Sequence, residues 1–171
     1  NDTVSVLLGS GDGSFSDRTD YAVGEFPAAL ALGDLDGDGD LDIVAADYGE
    51  GYLDGHLNVL VGRGDGTFER GQVVRHVVEP LGLAIGDVDA DGDLDIITAN
   101  CAYNYGQGNA VTVFLGSGDA TFEAGRSYKI GSDPRSVALG DLDGDGDLDI
   151  VAGSYGADYD NSEIAGLLGR G

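Results

Sequence analysis

The sequence predicts an all-β fold: β-propeller blades of four antiparallel strands, about three repeats of 53–54 residues. Three observations carry this reading. Gly9, Gly62, Gly116 and Gly169 are spaced 53, 54 and 53 residues apart, and the prolines Pro27, Pro80 and Pro134 keep the same step. An aspartate-rich nonapeptide comes seven residues after each proline. No stretch shows helical periodicity, whereas short β-branched and apolar runs recur between Gly, Asp and Pro clusters. Four-stranded units of this length, repeated around an axis, are propeller blades. The chain reads as one region, 1–171, with units at about 1–53, 54–107 and 108–160 and a fourth opening at 161–171.

Within a unit the strands take the letters A to D. Strand A falls at 28–33, 81–86 and 135–140. In its first copy the bulky Leu30 and Leu32 alternate with Ala29, Ala31 and Gly33, which suits an inner strand crowded near an axis. The proline before it sits at a strand start, where no ladder donor is lost. Strand B, at 41–46, 94–99 and 148–153, is apolar on both faces, as expected when sheets cover it on both sides. Strand C falls at 4–8, 57–61, 111–115 and 164–168. A Gly-x-Gly-Asp-Gly-Ser/Thr-Phe turn follows at 9–15 and 62–68, and at 116–122 with Ala120 in place of a glycine. Asp-Gly between strands is a hairpin signal. Phe15, Phe68 and Phe122 are expected to anchor the start of strand D in the core. Strand D, for example 72–78, is more polar, as an outer edge should be.

The nonapeptide joins A to B. Its copies are Asp34, Asp36, Asp38, Asp40 and Asp42; Asp87, Asp89, Asp91, Asp93 and Asp95; and Asp141, Asp143, Asp145, Asp147 and Asp149. Two carboxylates ~4 Å apart repel by roughly 4 kcal/mol at an effective dielectric near 20. A chain that builds this cluster three times needs a cation to hold it. The expected ion is calcium, one per loop, because it takes six to eight oxygens in flexible geometry. Aspartates at the first, third and fifth places offer side-chain oxygens, the seventh its carbonyl, and the ninth closes the shell. Glycine at the sixth place (Gly39, Gly92, Gly146) allows the turn. A helix–loop–helix calcium site starts alike but needs Glu at the twelfth place, which is Ala45, Thr98 and Ala152 here. The flanks read as strands, so this is a calcium loop between two strands.

Composition sets the remaining bounds. The formal net charge is −24, and 15 of the 32 acidic residues lie in the three loops. Three divalent ions would leave the chain strongly acidic. With only eight Lys and Arg, and those scattered, a nucleic-acid partner is disfavoured, as is docking on an anionic membrane. No membrane-length apolar run is present, so direct membrane insertion is not expected. The single cysteine, Cys101, reads as a small buried residue at a strand end.

The run from Ala31 through Asp42 to Ala45, followed by Val59-Leu60-Val61-Gly62-x-Gly64-Asp65-Gly66-Thr67-Phe68, resembles the FG-GAP or VCBS repeat, the calcium-binding blade of integrin-α-like propellers. The resemblance covers essentially the whole chain, and all three loops match the family's five ligand places. It departs where the family has Phe-Gly: Phe26-Pro27, Glu79-Pro80 and Asp133-Pro134 stand there instead. The resemblance implies an extracellular or cell-surface setting, with a role in adhesion, in carbohydrate binding, or beside a polysaccharide-degrading enzyme.

Six tyrosines fall in or beside the B–C loops: Tyr48, Tyr52, Tyr103, Tyr105, Tyr155 and Tyr159. Tyrosine couples contact area to a polar tip, which suits a glycan or protein ligand; covering the blade ends is the plainer role. His56 and His76 read as structural. No catalytic motif is visible, and a closed metal shell leaves no loop carboxylate for acid–base work. The expectation is a non-enzymatic binding module. The alternatives are a self-assembling structural subunit and the propeller domain of a secreted polysaccharide-active enzyme. Assembly enters because residues 1–11 and 161–171 are the same segment of the repeat and propellers have four to eight blades. The missing blades come from a longer parent chain, or from other copies, as a homo-oligomer or a filament.

Overall fold

The computed structural model describes residues 2–49, 54–101, 109–155, 163–167 and 169. Thirteen strands form four antiparallel sheets, and no helix occurs among the described residues. A two-stranded hairpin comes first, β1 (Thr3–Val6) and β2 (Thr19–Ala22). Next is a four-stranded blade, β3 (Pro27–Gly33), β4 (Asp42–Asp47), β5 (Gly55–Gly62) and β6 (Phe68–Val77). The next blade repeats it with β7 (Pro80–Gly86), β8 (Asp95–Asn100), β9 (Ala110–Phe114) and β10 (Arg126–Lys129). The last sheet has three strands, β11 (Pro134–Gly140), β12 (Asp149–Ser154) and β13 (Glu163–Leu167). Strands pair in sequence order within each sheet, so each is a meander. Among the described residues no sheet closes into a barrel, and each four-stranded blade packs against the sheet that follows it.

Strand A starts on the proline in every copy, with a register shift just after it. The residue before it lies at positive φ: Phe26 at 58°, Glu79 at 32° and Asp133 at 54°. Its carbonyl accepts the N–H of the residue that follows strand B, Tyr48, Cys101 or Tyr155. That bond ties the D–A corner to the end of strand B.

The core is a series of layers between sheets. Val4, Ile43, Ala45 and Leu60 fill the first, with Tyr21 and Phe68 at its edge. Val44, Leu57, Val59, Ile96 and Phe114 fill the second, and Ile97, Val111, Val113, Ile150 and Ala152 the third. Leu57, Val59, Val44, Ile96 and Val111 are completely buried, and each such burial contributes ~1.5–3 kcal/mol. The alternation along strand A is the mating pattern. A Cβ on Gly33 would lie 3.0 Å from Ile85 and 3.1 Å from Leu94 of the next blade. One on Gly86 would meet Leu139 and Leu148 of the blade after. The small face of one blade thus receives the bulky face of the next.

One core expectation needs correction. Phe122 is buried and Phe68 packs edge-on against Tyr21, with ring centroids 5.4 Å apart, but Phe15 is 66% exposed. Each of these rings packs on the preceding blade, and the β1–β2 hairpin has none before it in this structure. Cys101 is buried, with its thiol directed at the Asp133 carboxylate.

Candidate metal centres

Each A–B loop curls so that carboxylates far apart along the chain converge. Oxygens of Asp34, Asp36 and Asp42 lie within 4.8 Å of one another, as do those of Asp87, Asp89 and Asp95, and those of Asp141, Asp143 and Asp149. These are the first, third and ninth places. The turn that brings them together runs through Gly39, Gly92 and Gly146, at φ 93°, 99° and 99°, a region open to glycine. The fourth place is also left-handed, and in the second loop it is occupied by Ala90, at φ 60°.

The ninth aspartate is the pivot of each centre. Asp42 is completely buried; its Oδ2 accepts the Leu35 N–H at 2.8 Å and its Oδ1 the Gly62 N–H at 2.7 Å. Asp95 does the same with Val88 and Gly116, and Asp149 with Leu142 and Gly169. One carboxylate thus ties the loop to the far end of strand C. Sequence reasoning gave those glycines as markers of the repeat and Gly62 and Gly116 as the start of the turn after strand C; their spacing is the signal that could have identified them as partners.

The fifth and seventh places lie outside the convergent groups. The Oδ1 of Asp38, Asp91 and Asp145 accepts the N–H of Asp40, Asp93 and Asp147, respectively, and so shapes the turn. The Asp40 and Asp93 carboxylates lie over Gly64 and Gly118 in the C–D turn, where an added Cβ would come within 2.5 Å of them.

The groups are electrostatically unrelieved. Loss of hydration raises the Asp36 carboxyl above the ordinary aspartate range; the Asp38 N–H opposes this, and the charges of Asp38, Asp42 and Asp34 add to it. Asp143 is raised in the same way beside Asp145 and Asp149. Burial raises Asp95 against the N–H groups of Val88 and Gly116, with Asp89 and Asp91 adding repulsion. Asp34 Oδ1 and Asp87 Oδ1 are buried with no hydrogen-bond partner. An orphaned carboxylate oxygen costs several kcal/mol unless a cation or donor meets it. In the third loop the Gly144 N–H reaches Asp141 Oδ1 at 2.7 Å. The residues therefore fit a metal ion, and each of the three groups can hold one.

At the other end of the blades, Phe26 stacks on Tyr48 with centroids 6.0 Å apart, and the Arg135 guanidinium lies 5.2 Å from the Tyr155 ring centre. Tyr52, Tyr103, Tyr105 and Tyr159 lie outside the described residues.

The blades and their acidic loops define a propeller-like repeat protein with candidate metal sites between strands A and B. The FG-GAP-like repeat model matches residues 1–45, 34–98 and 87–152 in overlapping segments, and the chain belongs to that family. No curated protein matches the sequence.

Proposed function

We propose that this chain is a calcium-binding β-propeller module of the extracellular space or cell surface, a binding or adhesion unit for a glycan or protein ligand and not an enzyme. The observation that carries the calcium reading is the pair of buried, unpartnered oxygens, Asp34 Oδ1 and Asp87 Oδ1, each beside two further carboxylates. An ion with metal–oxygen distances of about 2.4 Å can touch oxygens up to about 4.8 Å apart, whereas magnesium at about 2.1 Å needs a tighter cage. The first, third and ninth aspartates would hold calcium. The fifth aspartate and the seventh carbonyl are the further oxygens each loop offers. The ion would offset the repulsion that raises Asp36, Asp95 and Asp143, and so fix the loop between strands.

The extracellular reading draws on the same chemistry, since calcium outside cells fills sites of modest affinity. No described helix is long and apolar enough to cross a membrane. The ligand surface is assigned to the end bearing Phe26, Tyr48, Tyr155 and Arg135, where exposed rings offer stacking area with polar edges.

The test is thermal unfolding in calcium and in chelator. At free calcium about 100 times the dissociation constant, each site adds about 2.7 kcal/mol of stability. Asp36→Ala, Asp89→Ala and Asp143→Ala should each remove about one ion from the stoichiometry read by calorimetry. An unchanged melt in chelator would sink the calcium reading.

A further inference from the structure

We infer that the pocket between β6 and β10 binds one acidic sugar residue, a hexuronate, with its carboxylate on Arg75 and its hydroxyls on the polar wall of the next blade. This rests on the proposed ligand-binding end of the blades and names the class of ligand; it does not depend on which ion fills the loops.

The pocket lies at the junction of the two four-stranded blades. Val74, Arg75 and His76 of β6 form one wall, and Ala110, Thr112 and Ser127 of β9 and β10 form the other. Asn100, the last residue of β8, lines it too, so it opens at the same end of the blades as Tyr48 and Tyr155. Its volume is about 220 Å³. That is roughly seven water volumes, room for one small ring.

An irregularity builds the β6 wall. Neighbouring residues of a strand point to opposite faces. The pairing of β6 with β5 shifts between Arg75 and Val77, so His76 is an extra residue, and it lies at φ 62°. Arg75 and His76 consequently both line the pocket. A bulge re-aims side chains in this way, and a non-glycine residue held at positive φ is the kind of strain that clusters at ligand sites. β10 shows no register shift against β9, so the blade itself does not require the bulge.

This wall is positive in a chain of net charge −24. β6 and β10 hold Arg70, Arg75, Arg126 and Lys129, four of the eight Lys and Arg. His76 Nδ1 lies 3.6 Å from Asp54 Oδ1. Among the described residues no carboxylate pairs with Arg75. A guanidinium presents a planar fork of donors that fits a carboxylate. The aspartate loops do not cancel its pull. Asp95 and Asn100 stand at opposite ends of β8, ~17 Å apart at about 3.4 Å per residue, which is about two Debye lengths at physiological salt.

The facing wall calls for hydroxyls. Asn100 is buried; its Nδ2 donates to Thr112 Oγ1 at 2.7 Å, and Thr112 Oγ1 lies 2.9 Å from Ser127 Oγ. With Thr112 donating to Ser127, the Ser127 proton is left for a ligand oxygen. Asn100 Oδ1 is buried with no partner. Its counterpart in the preceding blade, Asp47, has both oxygens taken, by His56 and Asn58. Ala110 stands in the register place of His56. The missing imidazole leaves the space, and a sugar hydroxyl there supplies the donor that Asn100 lacks. Val74 and Phe114 cover the C–H face of the ring. An acidic peptide side chain would satisfy Arg75 but brings no hydroxyls to this wall.

Amide shifts of the isotope-labelled full chain in calcium, titrated with D-glucuronate and D-galacturonate, test this; D-glucose, D-galactose and acetate are the comparisons. One uronate or both should move the amides of Arg75, His76, Ala110 and Ser127 with a dissociation constant of about 1–10 mM. The neutral sugars and acetate should bind at least about tenfold more weakly. Arg75→Ala, at an exposed side chain, should weaken binding by about tenfold or more. His76→Gly should weaken it too while leaving the melting temperature unchanged or higher, because it removes the strained residue. Ala110→His, which restores the ring of the preceding blade, should abolish binding with the circular dichroism unchanged. No shift with either uronate up to about 50 mM would overturn the inference. So would acetate or a neutral sugar binding as tightly as the uronates, or binding indifferent to Arg75→Ala and Ala110→His. Shifts confined to Tyr48, Arg135 and Tyr155 would overturn this pocket and leave the ligand end of the blades standing, and the calcium-dependent melt stands apart from every one of these outcomes.

Discussion

Asp42→Asn separates the two tasks of the ninth aspartate. The carboxylate is completely buried, and each oxygen accepts one backbone N–H, at 2.8 Å from Leu35 and 2.7 Å from Gly62. An amide keeps one acceptor and turns an NH₂ group toward the other donor. The loss is one charge-assisted hydrogen bond and a buried N–H left without a partner, about 3 kcal/mol together. For a chain of this size that is a fall in melting temperature of about 6–12 °C. The fall should appear in chelator, where no ion contributes. Asp38→Asn is the control. Asp38 is exposed, and its Oδ1 accepts the Asp40 N–H at 2.8 Å. An amide oxygen can take over that bond, so the cost in chelator should stay under about 0.5 kcal/mol. Each variant should weaken binding at the first site in calcium. Differential scanning calorimetry in both buffers measures the set. Equal shifts for the two variants in chelator would refute the division of labour.

Two further outcomes follow from the loops. In chelator, Asp36, Asp95 and Asp143 have carboxyls raised above the ordinary value of 3.8. The folded chain therefore binds protons more readily than the unfolded one, and metal-free stability should rise as pH falls from neutral toward 3.8. Asp12 and Asp65, lowered by their bonds to Ser14 and Thr67, act in the opposite sense: their contribution is present above 3.8 and lost at lower pH. In calcium, protons compete with the ion, so stability should fall over the upper window; melts that fall together in both buffers would contradict this. Ala90→Gly should stabilise the protein by about 0.5–1 kcal/mol, because relief of the left-handed strain outweighs the added freedom of the unfolded chain. Ala90 is exposed at φ 60°, and a lower melting temperature for this variant would contradict the strain argument.

The strands were legible because packing on both faces imposes a pattern on the residues themselves. Leu30 and Leu32 alternating with Ala29, Ala31 and Gly33 announced an inner strand with one bulky and one small face, and Gly33 indeed receives Ile85 and Leu94. The aspartate loops were legible as acidic clusters between strands. Their internal division was not. That Asp42 turns both oxygens to backbone donors depends on Gly62, 20 residues on, and no local rule connects the two. Phe15 misled because its motif matches that of Phe122, while its burial depends on a neighbouring blade. The positive φ before each proline was equally hidden, since Phe26, Glu79 and Asp133 share no chemistry that favours it.

Each candidate metal centre draws its atoms from a single blade: in the first, Asp34 to Asp42, closed by Gly62 and, through Asp40, by Gly64. Nothing in the first centre is borrowed from another blade. Duplicating one such stretch of a gene would therefore deliver a complete candidate site along with its blade, and deleting one would leave the remaining candidate sites whole. The strand A glycines cross to the next blade in one pattern at two junctions, Gly33 toward Ile85 and Leu94 and Gly86 toward Leu139 and Leu148, so an inserted copy finds fitting neighbours there. An architecture wired in this way can change its number of units by recombination without an intermediate whose aspartate groups are broken.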